Sequence, residues 1–570
     1  MIRPAPPRDR LQVRLPDHRI FEAPIFTSLS DVLSVAQEGH VPAVAATING
    51  RLVELSTVLT RDTDVTPVLL TDGIGARIYR RSLIMLLATA VRELFPEARV
   101  SIEHATTTAG AFYCLVHNRD PFTARELEVI TWHMSEIVSA DDPILKVRVP
   151  VDEAVELFET RGESDTASLL QSRTKPDLSL HELRGHREYF QGYLVASAGV
   201  LQWFALHAYP PGFMLQFPHS DRPSQLSAIA PYPKLFSVYA EHGEWLSRLG
   251  IRGVGALNEA VDGDLLPEIS LVGEAFHESQ IARIATDIAA QRDRIKVILI
   301  AGPSSSGKTT TSKRLAVQLL AQGIRPYPIG LDDYFLDREK TPRDARGEYD
   351  FEALEALDVP LFNQHLLQLM RGEVVQLPHF SFQRGRREPG AEVVLAPDQM
   401  IIVEGIHGLN PALVAELPND CVYRVYVSAL TQLNLDGHNR VSTSDCRLIR
   451  RIVRDAATRG YDARATLKRW DSVVAGEKKH IFPYQEYGDA IFNSALAHEL
   501  AVLRPLAEPL LLQVRPEHAE WLEANRLLSF LRWFHPATAD VVPTNSILRE
   551  FVGGSVLESF DFSLRRASGR

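Results

Sequence analysis

The chain has 570 residues, a mass of 63.7 kDa and a formal net charge of −11. Apolar residues make up 45% and charged residues 23%, which excludes collagen-like, mucin-like and wholly disordered chains. The acidic balance argues against attraction of the whole chain to nucleic acid or an anionic membrane, though a local basic patch is still allowed. At about 100–200 residues per domain, the length predicts three to five domains. Cys114, Cys421 and Cys446 are far apart, so neither a disulfide framework nor CxxC metal spacing is available, which fits a reducing cytoplasm. The start, MIRPAPPRDR, is charged and proline-rich and does not read as a secretory signal. The longest apolar run, Leu83–Val91, is too short to span a bilayer.

Residues 1–75 read as a small β-rich unit. Leu11–Leu15 alternates as a strand, Asp17-His18 suggests a turn, Ser28–Ala36 has helical spacing, and Ala43–Leu52 carries an Asn49-Gly50 hairpin signal. Residues 76–235 read as α+β. Ser82–Leu94 and Thr123–Val138 are predicted helices, and Val100–His104 and Ala111–Val116 predicted strands. Pro210-Pro211 and the proline-spaced stretch Phe217–Pro233 punctuate its end. Residues 236–290 read as a helical linker. From 291 to 516 short β-branched runs alternate with helical segments: Lys296–Ala301, Pro328–Leu331, Met400–Val403, Tyr423–Val427 and Leu510–Val514. These predict buried strands of a mostly parallel sheet with helices on both faces. Residues 517–570 read as a helical, then irregular, tail. No internal repeat or low-complexity tract is found.

The segment Gly302-Pro-Ser-Ser-Ser-Gly307-Lys308-Thr309 matches GxxxxGK[ST]. Chance produces this pattern roughly once in a hundred chains of this length. The apolar run IKVILIA leads in, and a helix with Leu315/Leu319 and Ala316/Leu320 leads out towards a stop at Gly323. Glycine lets the backbone wrap a phosphate, and the loop amides and helix dipole face the anion. Gly302, Ser304, Ser305, Ser306, Gly307, Lys308, Thr309 and Thr310 are therefore the predicted ATP-binding residues. Lys308 would reach the β/γ-phosphates and the Thr309 hydroxyl would ligate Mg²⁺.

Asp332-Asp333 follows the second predicted strand at its carboxyl end. A carboxylate there is placed to accept the proton of a substrate hydroxyl. Glu404 ends the run MIIV and is suited to hold Mg²⁺. In DCRLIRRIVRDAATRG (445–460), Arg447, Arg451 and Arg454 share one helix face at i, i+4, i+7. Arginines converging on one side suit a phosphate clamp, or lid. A salt-bridged surface helix and a nucleic-acid patch are the bland readings of the same spacing.

These motifs resemble the uridine kinase / phosphoribulokinase branch of P-loop kinases. The matching segments are GPSSSGKTT (302–310), LDDYF (331–335), YDFEALEALD (349–358), EGIHGLN (404–410) and DCRLIRRIVRDAATRG (445–460). The whole chain resembles a long bacterial form of that family with an extension related to threonyl-tRNA synthetase. Residues 9–73 resemble a TGS domain, a ubiquitin-like β-grasp module, and 76–235 resemble the synthetase's second additional domain. GEKKHIFPYQE (476–486) and NSILREFVGGS (545–555) also resemble the long form. The resemblance implies an ATP- and Mg²⁺-dependent kinase acting on a nucleoside or ribose-like acceptor. It implies that Asp332 is the general base, that Asp350 holds ribose hydroxyls, and that Phe335 lies near the sugar. It places Arg451 on the substrate side and Arg454 and Arg459 on the phosphates. Kinases of this branch are often homo-oligomers.

The departures bear on the acceptor. The pyrimidine-reading tyrosine and histidine of uridine kinases fall at Phe380 and Gly385 in the segment Pro378–Gly385, and a further arginine falls at Tyr461. Losing hydrogen-bond readout weakens base discrimination, so altered or relaxed base preference is expected; Gln383, Arg384 or Arg386 are alternative readers. The synthetase's HxxxH editing pair falls at Arg81 and Met85, which breaks the metal geometry, and His181 and His186 have no such partners. The competing readings are a kinase for another sugar-like alcohol and a nucleotide-gated regulator whose synthetase-like half binds RNA or a partner.

Overall fold

The computed structural model describes residues 8–36, 41–106, 110–343, 347, 349–381 and 383–560. Residues 1–7 of the proline-rich start, Phe382 of the hairpin, and 561–570 lie outside the described residues. Among the described residues no helix is long and apolar enough to cross a membrane.

The N-terminal part holds a five-stranded mixed sheet. Arg10–Arg14 pairs antiparallel with Ile20–Pro24 and parallel with Thr63–Leu69, and Ala43–Ile48 followed by the edge strand Arg51–Val53 completes the other side. The helix Leu29–Ala36 buries Leu29, Val32, Leu33 and Ala36 against Leu11 and Val13. This is a β-grasp arrangement. Next comes the helix Gly73–Leu94, packed on an antiparallel sheet ordered Ala205–Tyr209, Gly212–Gln216, Ala111–His117, Arg99–Thr106. The helix starts nine residues before the predicted Ser82. Arg77, Arg80 and Arg81 interrupt the apolar spacing of its first turns without breaking the helix. Helices Pro233–Arg248, Val254–Asp262 and Leu266–Ala290 follow.

The C-terminal half is a five-stranded parallel sheet ordered Arg325–Gly330, Gln399–Glu404, Val297–Ala301, Val422–Ser428, Ala490–Asn493. Alternate residues enter opposite cores, as a two-residue strand period requires. Ile298, Ile300, Ile402 and Val425 pack with Leu315 and Leu319 of the helix Lys308–Ala321. Val297, Leu299, Ile401 and Val403 pack with Phe362 and Leu366 of the helix Val359–Met370 on the other face. Both faces are covered, which explains the near-continuous apolar strands.

The predicted strand Leu510–Val514 is wrong. Leu510–Leu512 end the helix Glu499–Leu512, and the fifth strand is the shorter Ala490–Asn493. The apolar run imitates a buried strand. Pro505 and Pro509 discourage a helical reading, yet they lie four apart on its exposed side, one above the other. The tail is partly helical, Trp521–Leu531 and Arg549–Val552, and folds back onto the parallel sheet's helices.

Candidate functional site

The strand Val297–Ala301 lies central in the sheet, and the chain turns at its carboxyl end into the phosphate-type loop. Gly302 is required there: a Cβ would stand 1.9 Å from the Val427 carbonyl oxygen. Ser305 (φ 57°) and Gly307 (φ 86°) take left-handed backbone, which bends the loop into the helix starting at Lys308. Two strand ends flank the loop, and the sheet order switches direction here, where ligands bind in such folds.

Around Lys308 the sheet edge gathers acids. Thr309 Oγ1 donates to Glu404 Oε2 at 3.0 Å. Lys308 Nζ donates to the Pro303 carbonyl at 3.1 Å, folded back on its own loop. Burial raises the pKa of Glu404, Lys308 opposes that rise, and Asp332 and Glu550 add to it. Asp332 keeps solvent contact at its side chain, yet the cleft walls enclose it. That enclosure raises its pKa, and Lys308 and Arg459 pull it back. Asp333 has a different task. Its Oδ1 accepts from His379 Nδ1 at 3.0 Å and from the Phe380 amide at 3.1 Å, tying the hairpin Val375–Ser381/Arg386–Val393 to the strand end.

The sequence reading missed Glu352, the fourth residue of YDFEALEALD. It lies against Gly476, where a Cβ would stand 2.6 Å from the Glu352 Cβ, so the glycine permits the approach. Burial pushes its carboxyl up to about 7; Glu477 and Asp332 reinforce this, while Arg451 and Lys308 oppose it. Below about pH 7 the native state thus favours neutral Glu352, and unfolding returns it to its ordinary 4.5. Its stabilising contribution is complete below pH 4.5 and is lost as pH rises through about 7. Glu352→Gln is therefore expected to flatten the fall in stability between these values, raising the melting temperature at pH 8 but not at pH 4. A parallel shift at both pH values would contradict this. Asp350 lies 4.0 Å from Lys479.

The arginine helix Thr443–Arg454 divides its labour. Arg447 and Arg450 are buried and structural. Arg447 pairs with Glu477 at 2.5 and 2.7 Å and donates to the Ser304 carbonyl at 3.0 Å. Arg450 pairs with Glu499 and reaches Ser494. Arg447 therefore does not join Arg451 and Arg454 in an open phosphate clamp. Arg451, Arg454 and Arg459 all approach the buried Asp455, at 3.2, 3.7 and 3.4 Å. One carboxylate thus holds three guanidinium groups that would otherwise repel. Arg451 Nη1 also donates to Ser304 Oγ at 3.0 Å.

The tail completes this end of the loop. Glu550 Oε2 accepts from Thr310 Oγ1 at 2.8 Å and from the Thr310 amide at 3.3 Å, and Glu550 Oε1 lies 3.5 Å from Arg454. Ile547 packs so closely that a Cβ on Gly307 would stand 2.5 Å from it. On the acceptor side, Phe380 is buried with its ring 5.7 Å from Phe335 and Gly385 lies against Arg338, while Tyr461 stacks under Arg469. Arg384 pairs with Glu388, while Gln383 and Arg386 are exposed. In the N-terminal part Arg81 donates to the Tyr193 carbonyl and Met85 is core. His181 pairs with Glu54 and His186 with Glu188.

Residues 297–501 match the phosphoribulokinase / uridine kinase family, so this part of the chain is a P-loop kinase domain of that family. The N-terminal region is similar to threonine–tRNA ligases. The ligase of Burkholderia vietnamiensis is 34% identical over 199 residues, and that of Laribacter hongkongensis 35% over 198. Each alignment covers 34% of this chain and 31% of the relative, so the chain spans about a third of the ligases' length. A solved chain reported as a possible uridine kinase from Bacillus stearothermophilus is 25% identical over 26% of this chain and 79% of its own, with a TM-score of 0.22. A solved chain reported as a possible fructose transport system kinase from Silicibacter sp. TM1040 is 19% identical over 37% of this chain and 98% of its own, at 0.25.

Proposed function

We propose that the chain transfers the γ-phosphoryl group of ATP to the 5′-hydroxyl of a nucleoside, with altered or relaxed base preference. The observation that carries this reading is the ring of Asp332, Glu404 and Glu352 around Lys308 at the mouth of the phosphate-type loop. A switch protein needs no acceptor-side carboxylate there. Amides of the loop and Lys308 bind the phosphates of ATP. Asp332 takes the proton of the acceptor hydroxyl as its oxygen bonds to the γ-phosphorus, and the β,γ-bridging P–O bond breaks to release ADP. Arg451, Arg454 and Arg459 bear on the phosphate charge and exclude water. Asp350 and Phe335 lie on the sugar side.

The donor set fits Mg²⁺. A hydroxyl and a carboxylate are in contact, both are hard oxygen donors, and the surrounding carboxylates outnumber Lys308. Bound there, the ion would neutralise phosphate oxygens, with Thr309 and Glu404 as its protein partners.

Phe380 and Gly385 offer a base edge no side-chain hydrogen bond, which supports weak base selection. The test is ADP release by the full chain with Mg-ATP against uridine, cytidine, adenosine, guanosine and simple ribose-like alcohols. Turnover on nucleosides of more than one base is expected. Tight selection of uridine and cytidine would overturn the base preference. Turnover only on non-nucleoside alcohols would move the acceptor, and none on any acceptor would remove the kinase reading.

A further inference from the structure

A cavity of about 1300 Å³ lies between the synthetase-like sheet, the start of the helix Gly73–Leu94, the arginine helix and the tail helix Trp521–Leu531. It stands apart from the Asp332 cleft, behind the phosphate-type loop. In a chain of net charge −11 its lining carries nine arginines and lysines against seven carboxylic acids. The guanidinium of Arg80 lies 4.6 Å from the Phe217 ring, and that of Arg440 lies 5.9 Å from the Phe112 ring. The two rings touch, with centroids 4.7 Å apart. Arg80 and Arg440 therefore flank one apolar step on the same wall.

Neither arginine forms an ion pair among the described residues, and each has a buried Nε with no hydrogen-bond partner. Burial lowers the pKa of both, to about 10 for Arg80, whose charged neighbour is the like-charged Arg77; at Arg440, Tyr239 and Asp445 oppose the shift and Nη2 donates to the Val441 carbonyl at 3.5 Å. Three acids of the wall are taken. Asp445 is held through both oxygens by Arg526, at 2.7 and 2.8 Å, Glu523 by Arg77 and Arg526, and Glu477 by Arg447. Asp221 and Asp471 act on Lys478, a further cation of the cavity.

We propose that this cavity binds a phosphorylated small molecule. Its phosphate would be gripped by Arg80 and Arg440, and its flat or apolar body would lie on Phe112 and Phe217. Guanidinium forks match phosphate oxygens, and a desolvated cation without a partner gains most from an anion. The volume exceeds the ordinary range of small-ligand pockets, so a nucleotide-sized ligand fits. The cavity floor carries Arg447 and Glu477, the side chains that hold Ser304 of the phosphate-type loop. Occupancy is thus expected to change ATP affinity, and ATP to change occupancy by the same factor. That coupling rests on the kinase reading, but binding at the cavity does not.

The probe is inorganic pyrophosphate, titrated calorimetrically into full-length Lys308→Ala protein, in which the loop site is weakened. One pyrophosphate site is expected to persist. Adding Arg80→Gln and Arg440→Gln is expected to weaken it at least tenfold, and the lysine pair at the same positions to retain most of the affinity. Competition by nucleoside mono- and triphosphates then sorts the natural ligand. Hydrogen exchange on the Lys308→Ala protein gives a check without cavity variants: pyrophosphate is expected to slow exchange in 73–84 and 438–445. Absence of that protection, affinity unchanged by the glutamine pair, or capture of an RNA oligomer with no response to pyrophosphate would each overturn the proposal.

Discussion

Asp332→Asn is expected to lower acceptor-dependent ADP release by roughly 10²- to 10⁴-fold, the usual worth of a positioned general base, with ATP affinity nearly unchanged. The two aspartates of Asp332-Asp333 separate the proposed chemistry from the scaffold. Asp333 is committed to the hairpin through His379 and the Phe380 amide. Among the described residues Asp332 has no such bond and is tuned instead by enclosure, Lys308, Asp333 and Arg459. Because its pKa is raised, turnover is expected to climb with pH as the carboxylate forms, and to lose that climb in the asparagine variant. Asp333→Asn makes the contrasting control. It weakens hairpin attachment, so its loss should fall on acceptor KM. Equal turnover by Asp332→Asn and the parent would remove Asp332 from the reaction.

The parts of the site that sequence made legible are those whose meaning is local. The glycine spacing of 302–307, the acid after MIIV and the aspartate pair after a strand each follow from neighbours in the chain. Thr309 and Glu404 indeed meet at 3.0 Å although 95 positions apart. The counter-charges were not legible. Glu477, Asp455 and Glu550 each look like a surface acid in its own segment, and Glu550 reaches Thr310 across 240 positions. Burial of Arg447 and Arg450 was hidden for the same reason. Helical spacing groups Arg447 with Arg451 and Arg454, and only the third dimension shows that the carboxylate partners of Arg447 and Arg450 lie inside. Arg80 gave no signal at all. The predicted helix begins at Ser82 and leaves Arg80 out, whereas the helix starts at Gly73 and Arg80 lines a cavity.

Arg447→Ala is expected to cost about 3–5 kcal/mol of stability, because it strands the Glu477 carboxylate without its cation in a buried setting. Arg447 and Glu477 are 2% and 1% exposed at their side chains, so water cannot take the missing partner's place. A lower denaturant midpoint for the kinase-domain transition, with the synthetase-like part's transition unmoved, would register it. The double variant Arg447→Met/Glu477→Met separates stability from function. An apolar pair of similar volume removes both charges, so much of the lost stability should return. ATP affinity should not return with it. The Ser304 amide donates to Glu477 at 2.8 Å and the Ser304 carbonyl accepts from Arg447 at 3.0 Å, so the pair sets the shape of the loop from behind. With neither group present, the loop loses that fixing and binds phosphate less well by about tenfold, roughly the net worth of one hydrogen bond. Recovery of ATP affinity together with stability would show that the pair only fills the core.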